Sequence, residues 1–190
     1  MLMNLPEIIL ASGSPRRKEL MAMAGFDVEV RVKNTDEIHP LNTLPQDIPA
    51  LLAERKAMAF FDEITTEIII AADTIVIIDN EILEKPSSRE DAIAMLQKLS
   101  GKKHEVVTGV CILTKVKRVV FSERTAVCFN ALTFAEIEFY VDKFKPYDKA
   151  GGYACQEWIG AIGIARFEGS YNNVVGLPTA TLYEKLRLFL

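Results

Sequence analysis

The segment from Ser12 to Arg17, with the sequence Ser-Gly-Ser-Pro-Arg-Arg, has residue types and a spacing that suit phosphate chemistry. The residues before it are predicted to form a short buried strand, and Ser14 followed by Pro15 is typical of a helix start. Free backbone N–H groups at a helix N-terminus favour anions, and Arg16 and Arg17 would add bidentate donors. The pattern therefore predicts an anion site, or alternatively an ordinary capped helix with solvated arginines.

Asp73 is a carboxylate within a run of mostly β-branched apolar residues over 68–78. Such a run predicts a buried strand. A buried carboxylate is costly unless it is paired or bound to a metal ion. Asp73 is therefore the candidate metal ligand or general base, and the alternative is an aspartate near a strand end that accepts backbone hydrogen bonds.

Lys85 is placed by the predicted elements where it could accompany Asp73, and Lys56 is a second candidate lysine. Lys85 follows a short strand over 81–84, which is predicted to return beside the parent strand as a hairpin. Lys56 lies on a predicted helix over 49–62. Each lysine is also explained as a solvated surface residue when it is taken alone.

Two loops carry polar residues that could contribute to a site. Asp36 and Glu37 lie in a polar loop and would either hold a divalent ion or be solvated charges. The pair Gly151-Gly152 allows the backbone to approach a ligand closely, or forms a plain connector. The polar residues near this pair are Asp148, Lys149 and Gln156.

The composition excludes several classes of protein. The net charge of −4 argues against broad binding to nucleic acid or to an anionic membrane. The three cysteines are widely spaced and suit a reducing, cytoplasmic compartment, and no signal peptide or membrane span is visible. Common templates for nucleotide binding, such as the P-loop and the Rossmann fingerprint, are absent from the sequence.

The predicted elements mix strands and helices without strict alternation, over a single domain that comprises residues 1–190. This order indicates an α/β fold with a central mixed, largely antiparallel sheet flanked by helices. The predicted strands are 7–12, 27–32, 67–78, 81–84, 105–114, 118–129 and 162–167. The predicted helices run from Ser14 to Ala24, 49–62, 88–99, 133–144 and 178–189.

Taken together and in this order, the motifs resemble the Maf family of nucleotide pyrophosphatases. The matching segments are Leu10–Leu20, Ala53–Ala57, Ala72–Thr74, Leu83–Pro86, Met95–Gly101, Asp148–Gly151, Glu168–Tyr171 and Val175–Pro178. The resemblance implies a Maf/ITPase-like fold with two lobes around a cleft. It also implies hydrolysis of a nucleoside triphosphate to the monophosphate and pyrophosphate, a house-cleaning role against non-canonical nucleotides, and a homodimer.

Three positions separate the branches of the family. The dTTP/UTP-type branch looks like Arg16, Thr74 and Gln156, and this chain matches it at all three. The branch that acts on 7-methyl-GTP usually carries an aromatic residue, Gln and Glu there. The chain departs from the family where Glu157 replaces a small residue beside Gln156.

On this resemblance, Asp73 is expected to act as the general base and to share Mg²⁺ with Glu37, with Mn²⁺ or Co²⁺ as alternative metals. Thr74 and Gln156 are expected at the base, and Arg16 is expected to influence the choice of substrate. The residues expected at the phosphates are Ser12, Ser14, Arg16, Arg17, Lys56 and Lys85.

Two other functions stay open at this point. The protein could be a regulatory nucleotide-binding module with little turnover, which the family's name links to septum formation. It could also perform the same chemistry on another nucleotide, such as 7-methyl-GTP. An assay for pyrophosphate separates the module from the enzyme.

Overall fold

The structure is a computed structural model that describes residues 6–190. Its strands are β1 (Ile8–Leu10), β2 (Glu29–Val30), β3 (Ile68–Ile78), β4 (Glu81–Leu83), β5 (Lys103–Leu113), β6 (Arg118–Phe129) and β7 (Ile164–Glu168). Its α-helices are α1 (Pro15–Met23), α2 (Ile48–Met58), α3 (Arg89–Leu99), α4 (Phe134–Phe144), α5 (Trp158–Gly163), α6 (Tyr171–Val175) and α7 (Thr179–Leu186).

The strands form one mixed sheet with the order β2-β1-β3-β5-β6-β7, and β4 pairs with β3 outside this path. Strand β1 is parallel to β2 and β3, whereas β4 is antiparallel to β3 and β7 is antiparallel to β6. Strand β3 is long because its β-branched residues suit a pleated surface that is buried on both faces. The predicted mixed sheet with flanking helices is therefore confirmed.

The residues cluster into two compact units, and strands β3, β5 and β6 contribute to both. Unit 1 contains the described residues up to Asp73, residues 108–123 and the chain from Gly176 onward. Unit 2 contains residues 74–107 and 124–175.

Each unit has its own buried apolar cluster. In unit 1, residues of β1, β3 and β5 pack against α2, with Ala53 and Ala57 fully buried at the contact. In unit 2, the cluster joins β3, β5 and β6 to α3 and α4, and Tyr140 is its largest fully buried side chain. The small alanines of α2 allow that helix to lie close to the sheet. This position also brings Arg55 and Lys56 of the helix close to the sheet.

Two short helices, α5 and α6, were not among the predicted elements. Helix α5 contains Gly160 and Gly163, which lower helix propensity by about 1 kcal/mol each. The sequence of this segment therefore does not predict a helix. Residues 150–152, predicted as a loop, form a 3₁₀ turn in which Gly151 has a φ of 69°. No described helix is both long and apolar enough to cross a membrane.

Candidate active site

Asp73 and Lys56 form an ion pair in unit 1. Asp73 is the sixth residue of β3, and its side chain is 14% exposed. Lys56 extends from α2 and places Nζ 2.5 Å from Asp73 Oδ1. Asp73 is thus paired in mid-strand with a cation, and the alternative of a strand-end aspartate does not describe it. The pairing offsets the cost of removing the carboxylate from water.

Glu37 lies on the other side of the same ammonium group. Its Oε1 is 3.5 Å from Lys56 Nζ. The carboxylate oxygens of Glu37 and Asp73 that contact Lys56 therefore lie within about 6 Å of one another. The structure brings together the two carboxylates that the sequence suggested as metal ligands.

Arg55 holds the loop that carries Glu37. Its Nη1 donates to the carbonyl oxygen of Asp36 at 3.0 Å and to that of Ile38 at 2.5 Å, and it also contacts the Asp36 carboxylate. These contacts flank Glu37 on both sides along the chain. Sequence reasoning missed Arg55, because an arginine beside Lys56 on a helix has no feature that separates it from a solvated surface residue.

Arg17 is a half-buried guanidinium with structural contacts in unit 1. Its Nη1 donates to Ala72 O at 2.8 Å and Ser12 Oγ at 3.1 Å, and its Nε donates to Gly176 O at 2.8 Å. Burial lowers the pKa of Arg17 and the charge of Asp73 partly counters this effect. Arg17 thus joins the ends of β1 and the middle of β3, and keeps positive charge beside Asp73.

Ser14 is the N-cap residue of α1 and Pro15 is the first helical residue, as predicted. Within the described residues the Ser14 side chain makes no capping hydrogen bond, whereas its backbone N–H donates to Ser12 Oγ at 3.3 Å. Ser12 is buried and Arg16 is half-buried in the first turn of the helix. The segment thus has the strand-to-helix geometry that the motif implied.

The remaining predicted site residues belong to unit 2. Thr74 follows Asp73 in β3, and Lys85 is exposed two residues after the end of β4. The loop of Lys85 is anchored because Gly151 N–H donates to Glu84 O at 3.0 Å. Gly151 is required there, since a Cβ would lie 3.0 Å from a methyl group of Val76 at a positive φ. Gln156 is exposed in a turn before α5.

Asp73 and Glu37 are the carboxylates around Lys56 that a divalent metal ion could use as ligands. Among residues 6–190 no group of three or more Asp, Glu, His or Cys side chains could hold a metal ion as a complete cage. Mg²⁺ does not need such a cage, since it keeps several waters and binds one or two carboxylates together with substrate phosphates. The pair of Asp73 and Glu37 therefore fits Mg²⁺ that arrives with a nucleotide.

Solved structures with a similar fold come from the Ham1 group. A Ham1 protein of Staphylococcus aureus matches with a TM-score of 0.54 at 18% identity, over 95% of this chain and 100% of that chain. A HAM1 protein of Coxiella burnetii matches with a TM-score of 0.50 at 14% identity, over 97% of this chain and 100% of that one. These likenesses define the class of fold.

A family comparison is more specific. The model of the Maf-like protein family matches residues 7–189, and the chain belongs to this family. The dTTP/UTP pyrophosphatase of Parabacteroides distasonis is 49% identical over the full length of both chains. The dTTP/UTP pyrophosphatase of Flavobacterium psychrophilum is 49% identical over 93% of this chain and 91% of its own.

Proposed function

We propose that the protein hydrolyses nucleoside triphosphates, with dTTP and UTP as preferred substrates, to the monophosphate and pyrophosphate. The observation that carries the proposal is the pairing of the half-buried Asp73 with Lys56, beside the half-buried Arg17 and within reach of Glu37. The high similarity to dTTP/UTP pyrophosphatases over the whole chain supports the choice of reaction.

Asp73 is assigned as the general base that takes a proton from the attacking water. Its Oδ1 is engaged by Lys56, so we assign proton uptake to Oδ2. The water oxygen forms a bond to the α-phosphorus, the bond between that phosphorus and the α,β-bridging oxygen breaks, and pyrophosphate leaves with the bridging oxygen. General base catalysis of this kind contributes about 10²–10⁴-fold to the rate.

Positive charge near Asp73 would stabilise the negative charge that develops on the phosphates. Lys56 is the central candidate, because it lies between Asp73 and Glu37. The other proposed phosphate ligands are Ser12, Ser14, Arg16, Arg17 and Lys85. Arg17 acts here mainly through its positive charge, since three of its contacts are to protein oxygens.

Mg²⁺ is the proposed metal, with Mn²⁺ or Co²⁺ as alternatives, and Asp73 and Glu37 would hold it. When bound, the ion neutralises phosphate charge and polarises the phosphoryl oxygens. Lys56 contacts both carboxylates, so we expect its ammonium group to move toward the substrate phosphates when a metal takes its place.

Selectivity is assigned to Arg16, Thr74 and Gln156. An amide or hydroxyl that hydrogen-bonds the edge of a pyrimidine rejects a base that leaves it unpaired. We propose on this basis that purine triphosphates are poor substrates and that the enzyme removes non-canonical nucleotides. We also propose a homodimer, which light scattering would test.

A cytoplasmic location is proposed from the cysteines. Cys111, Cys128 and Cys155 are buried free thiols in the structure. Burial raises the pKa of the Cys111 thiol to about 12, which keeps it protonated and unreactive. Such thiols suit a reducing compartment.

A panel of nucleotides with product analysis tests the proposed function. The purified protein would be incubated with dTTP, UTP, 7-methyl-GTP and the common purine triphosphates, with Mg²⁺ and with chelator. Pyrophosphate from dTTP and UTP that disappears with chelator is the expected result. Binding without product would favour a regulatory module, and turnover restricted to 7-methyl-GTP would overturn the assigned substrate.

A further inference from the structure

Gln156 stands at the tip of a four-residue β-turn in unit 2. The turn comprises Ala154, Cys155, Gln156 and Glu157, and Glu157 N–H donates to Ala154 O at 3.1 Å to close it. Ala154 and Cys155 are buried, whereas Gln156 is exposed. The position of the Gln156 amide therefore depends on how the two ends of the turn are held.

A single hydroxyl group holds both ends of this turn. Tyr140, from α4, accepts a hydrogen bond from Ala154 N–H at 3.1 Å and donates one to Glu157 Oε2 at 2.5 Å. Tyr140 is fully buried, with its ring stacked on Phe144 at 5.1 Å. Burial, followed by the hydrogen bond to Glu157, raises the pKa of Tyr140, so its proton stays available for donation.

The carboxylate of Glu157 is also engaged from the preceding loop. Lys149 Nζ lies 3.4 Å from Glu157 Oε1 and 2.7 Å from Asp148 Oδ1, and the Lys149 side chain is only 10% exposed. A buried ammonium group is costly without such partners. Glu157, the residue that follows Gln156 in the sequence, thus links Tyr140 to Lys149.

Helix α5 supports the turn from the other side. A Cβ on Gly160 would lie 1.9 Å from the carbonyl oxygen of Cys155, so glycine is the residue that allows this approach. Gly160 N–H donates to Glu157 O at 3.0 Å. The backbone of the turn is therefore held by α4 and by α5, and the Gln156 side-chain oxygen accepts a hydrogen bond from Cys155 Sγ at 3.7 Å.

We propose that Tyr140 and Glu157 are positioning residues for Gln156, and that they set the discrimination between pyrimidine and purine nucleotides. The inference rests on the proposed function, in which Gln156 contacts the base. Hydrogen-bonded rejection of a wrong base requires a donor and an acceptor at fixed positions. A turn clamped at both ends supplies this rigidity, and in this chain Glu157 provides one of the clamps.

The test compares Tyr140→Phe with the native protein in equilibrium binding of the α,β-methylene analogues of UTP and GTP. The variant keeps the packed ring and loses both hydrogen bonds of the hydroxyl. We expect the Kd for the UTP analogue to rise about tenfold and the Kd for the GTP analogue to change less than about twofold. With hydrolysed substrates, KM for UTP should rise while kcat changes less than about twofold.

A double-mutant cycle with Gln156→Ala separates positioning from general loss of structure. Because Tyr140 acts through Gln156, adding Tyr140→Phe to Gln156→Ala should change the Kd for the UTP analogue less than about twofold. Glu157→Gln keeps an acceptor for Tyr140 and should keep most of the selectivity, whereas Glu157→Ala should lose it. If Tyr140→Phe does not fold, comparing Glu157→Gln with Glu157→Ala tests the same dependence of selectivity on the hydrogen bond between Tyr140 and Glu157.

Tyr183→Phe in unit 1, whose ring contacts Phe26, is the matched control and should leave both affinities unchanged. The inference would be overturned if Tyr140→Phe raised the Kd of both analogues equally or changed neither. It would also be overturned if the effects of Tyr140→Phe and Gln156→Ala on the binding free energy of the UTP analogue were fully additive. Binding of the analogues does not require turnover. If Tyr140→Phe selectively lost affinity for the UTP analogue in a protein that releases no pyrophosphate, only the proposed function would be overturned.

Discussion

Lys56 is the residue on which the charges of the site converge. It lies 2.5 Å from Asp73 and 3.5 Å from Glu37, at 22% side-chain exposure. A lysine between two carboxylates can exchange its partners for phosphate oxygens when an anion and a metal arrive together. In the proposed function, this exchange would allow a site with negative carboxylates to accept a highly negative substrate.

Replacing Asp73 by Asn should abolish most of the activity. The amide has the size of the carboxylate but cannot take a proton from water, so pyrophosphate release should fall by at least about 10²-fold. Circular dichroism should show an unchanged fold. The exposed Asp62→Asn is a suitable control, and activity of Asp73→Asn within tenfold of the native value would remove the assignment.

At the scale of elements, helix α2 positions two consecutive residues with different tasks. Lys56 faces Asp73, whereas Arg55 binds the backbone on both sides of Glu37. The helix can reach this position because Gly109 of β5 has no side chain. A Cβ there would lie 2.1 Å from Ala50 N and 2.2 Å from the carbonyl carbon of Pro49.

Arg55→Met should weaken the dependence on metal without removing Glu37. The loop would lose its contacts at Asp36 and Ile38, and the concentration of Mg²⁺ for half-maximal activity should rise about tenfold, as for other residues that orient metal ligands. A magnesium titration of pyrophosphate release measures this. Arg118→Met, which removes the partner of Glu54 on the same helix, should leave the titration unchanged. An unchanged titration for Arg55→Met would contradict the role.

Gly109→Ala should destabilise the protein, because α2 must move away from β5 to accept the methyl group. Overpacking of this kind lowers the free energy of unfolding by about 3 kcal/mol. Urea unfolding measures it. Gly13→Ala, whose Cβ would meet Val32 at an ordinary 3.6 Å, is the control. If both variants unfold at the same urea concentration, the packing argument is wrong.

At the scale of the whole molecule, stability should depend on pH through His104. Its Nε2 is 2.7 Å from the hydroxyl oxygen of Tyr153, and its Nδ1 is buried without a hydrogen-bond partner among the described residues. Burial lowers the pKa of His104 to about 4. The unfolded chain, with a histidine pKa near 6.5, therefore binds a proton that the native state excludes between these values.

The free energy of unfolding should therefore fall as the pH drops through this window, by about 2 kcal/mol between pH 7 and pH 5 from this group. His104→Gln removes the titration and keeps a donor for Tyr153. Urea unfolding of both proteins at the two pH values checks the difference. Identical pH dependence in the two proteins would show that His104 does not titrate in this way.

Much of the architecture could be predicted from the sequence because its signals are local. The β-branched run of β3 and the Ser14-Pro15 helix start each specify an element within a few residues. Asp73 was predictable for the same reason, since a carboxylate inside an apolar strand needs a partner. The structure pairs Asp73 with Lys56, whereas the roles assigned to all the predicted site residues stay predictions.

The supporting residues could not be predicted, because their contacts join distant parts of the chain. Tyr140 reads as an ordinary core aromatic of α4, and only the fold brings its hydroxyl to a turn that begins at Ala154. In the sequence, Gly109 is a residue that weakens a strand, and only its contact with α2 in the fold explains why glycine stands there. Glu157 is visible in the sequence as a departure from the family, whereas its contacts with Tyr140 and Lys149 depend on the fold.

The most direct test of the central claim is hydrolysis of dTTP in ¹⁸O-labelled water with Mg²⁺, followed by mass spectrometry of both products. Attack of an Asp73-activated water on the α-phosphorus places the label in the monophosphate and leaves pyrophosphate unlabelled. Label in pyrophosphate, or the absence of both products, would contradict the account.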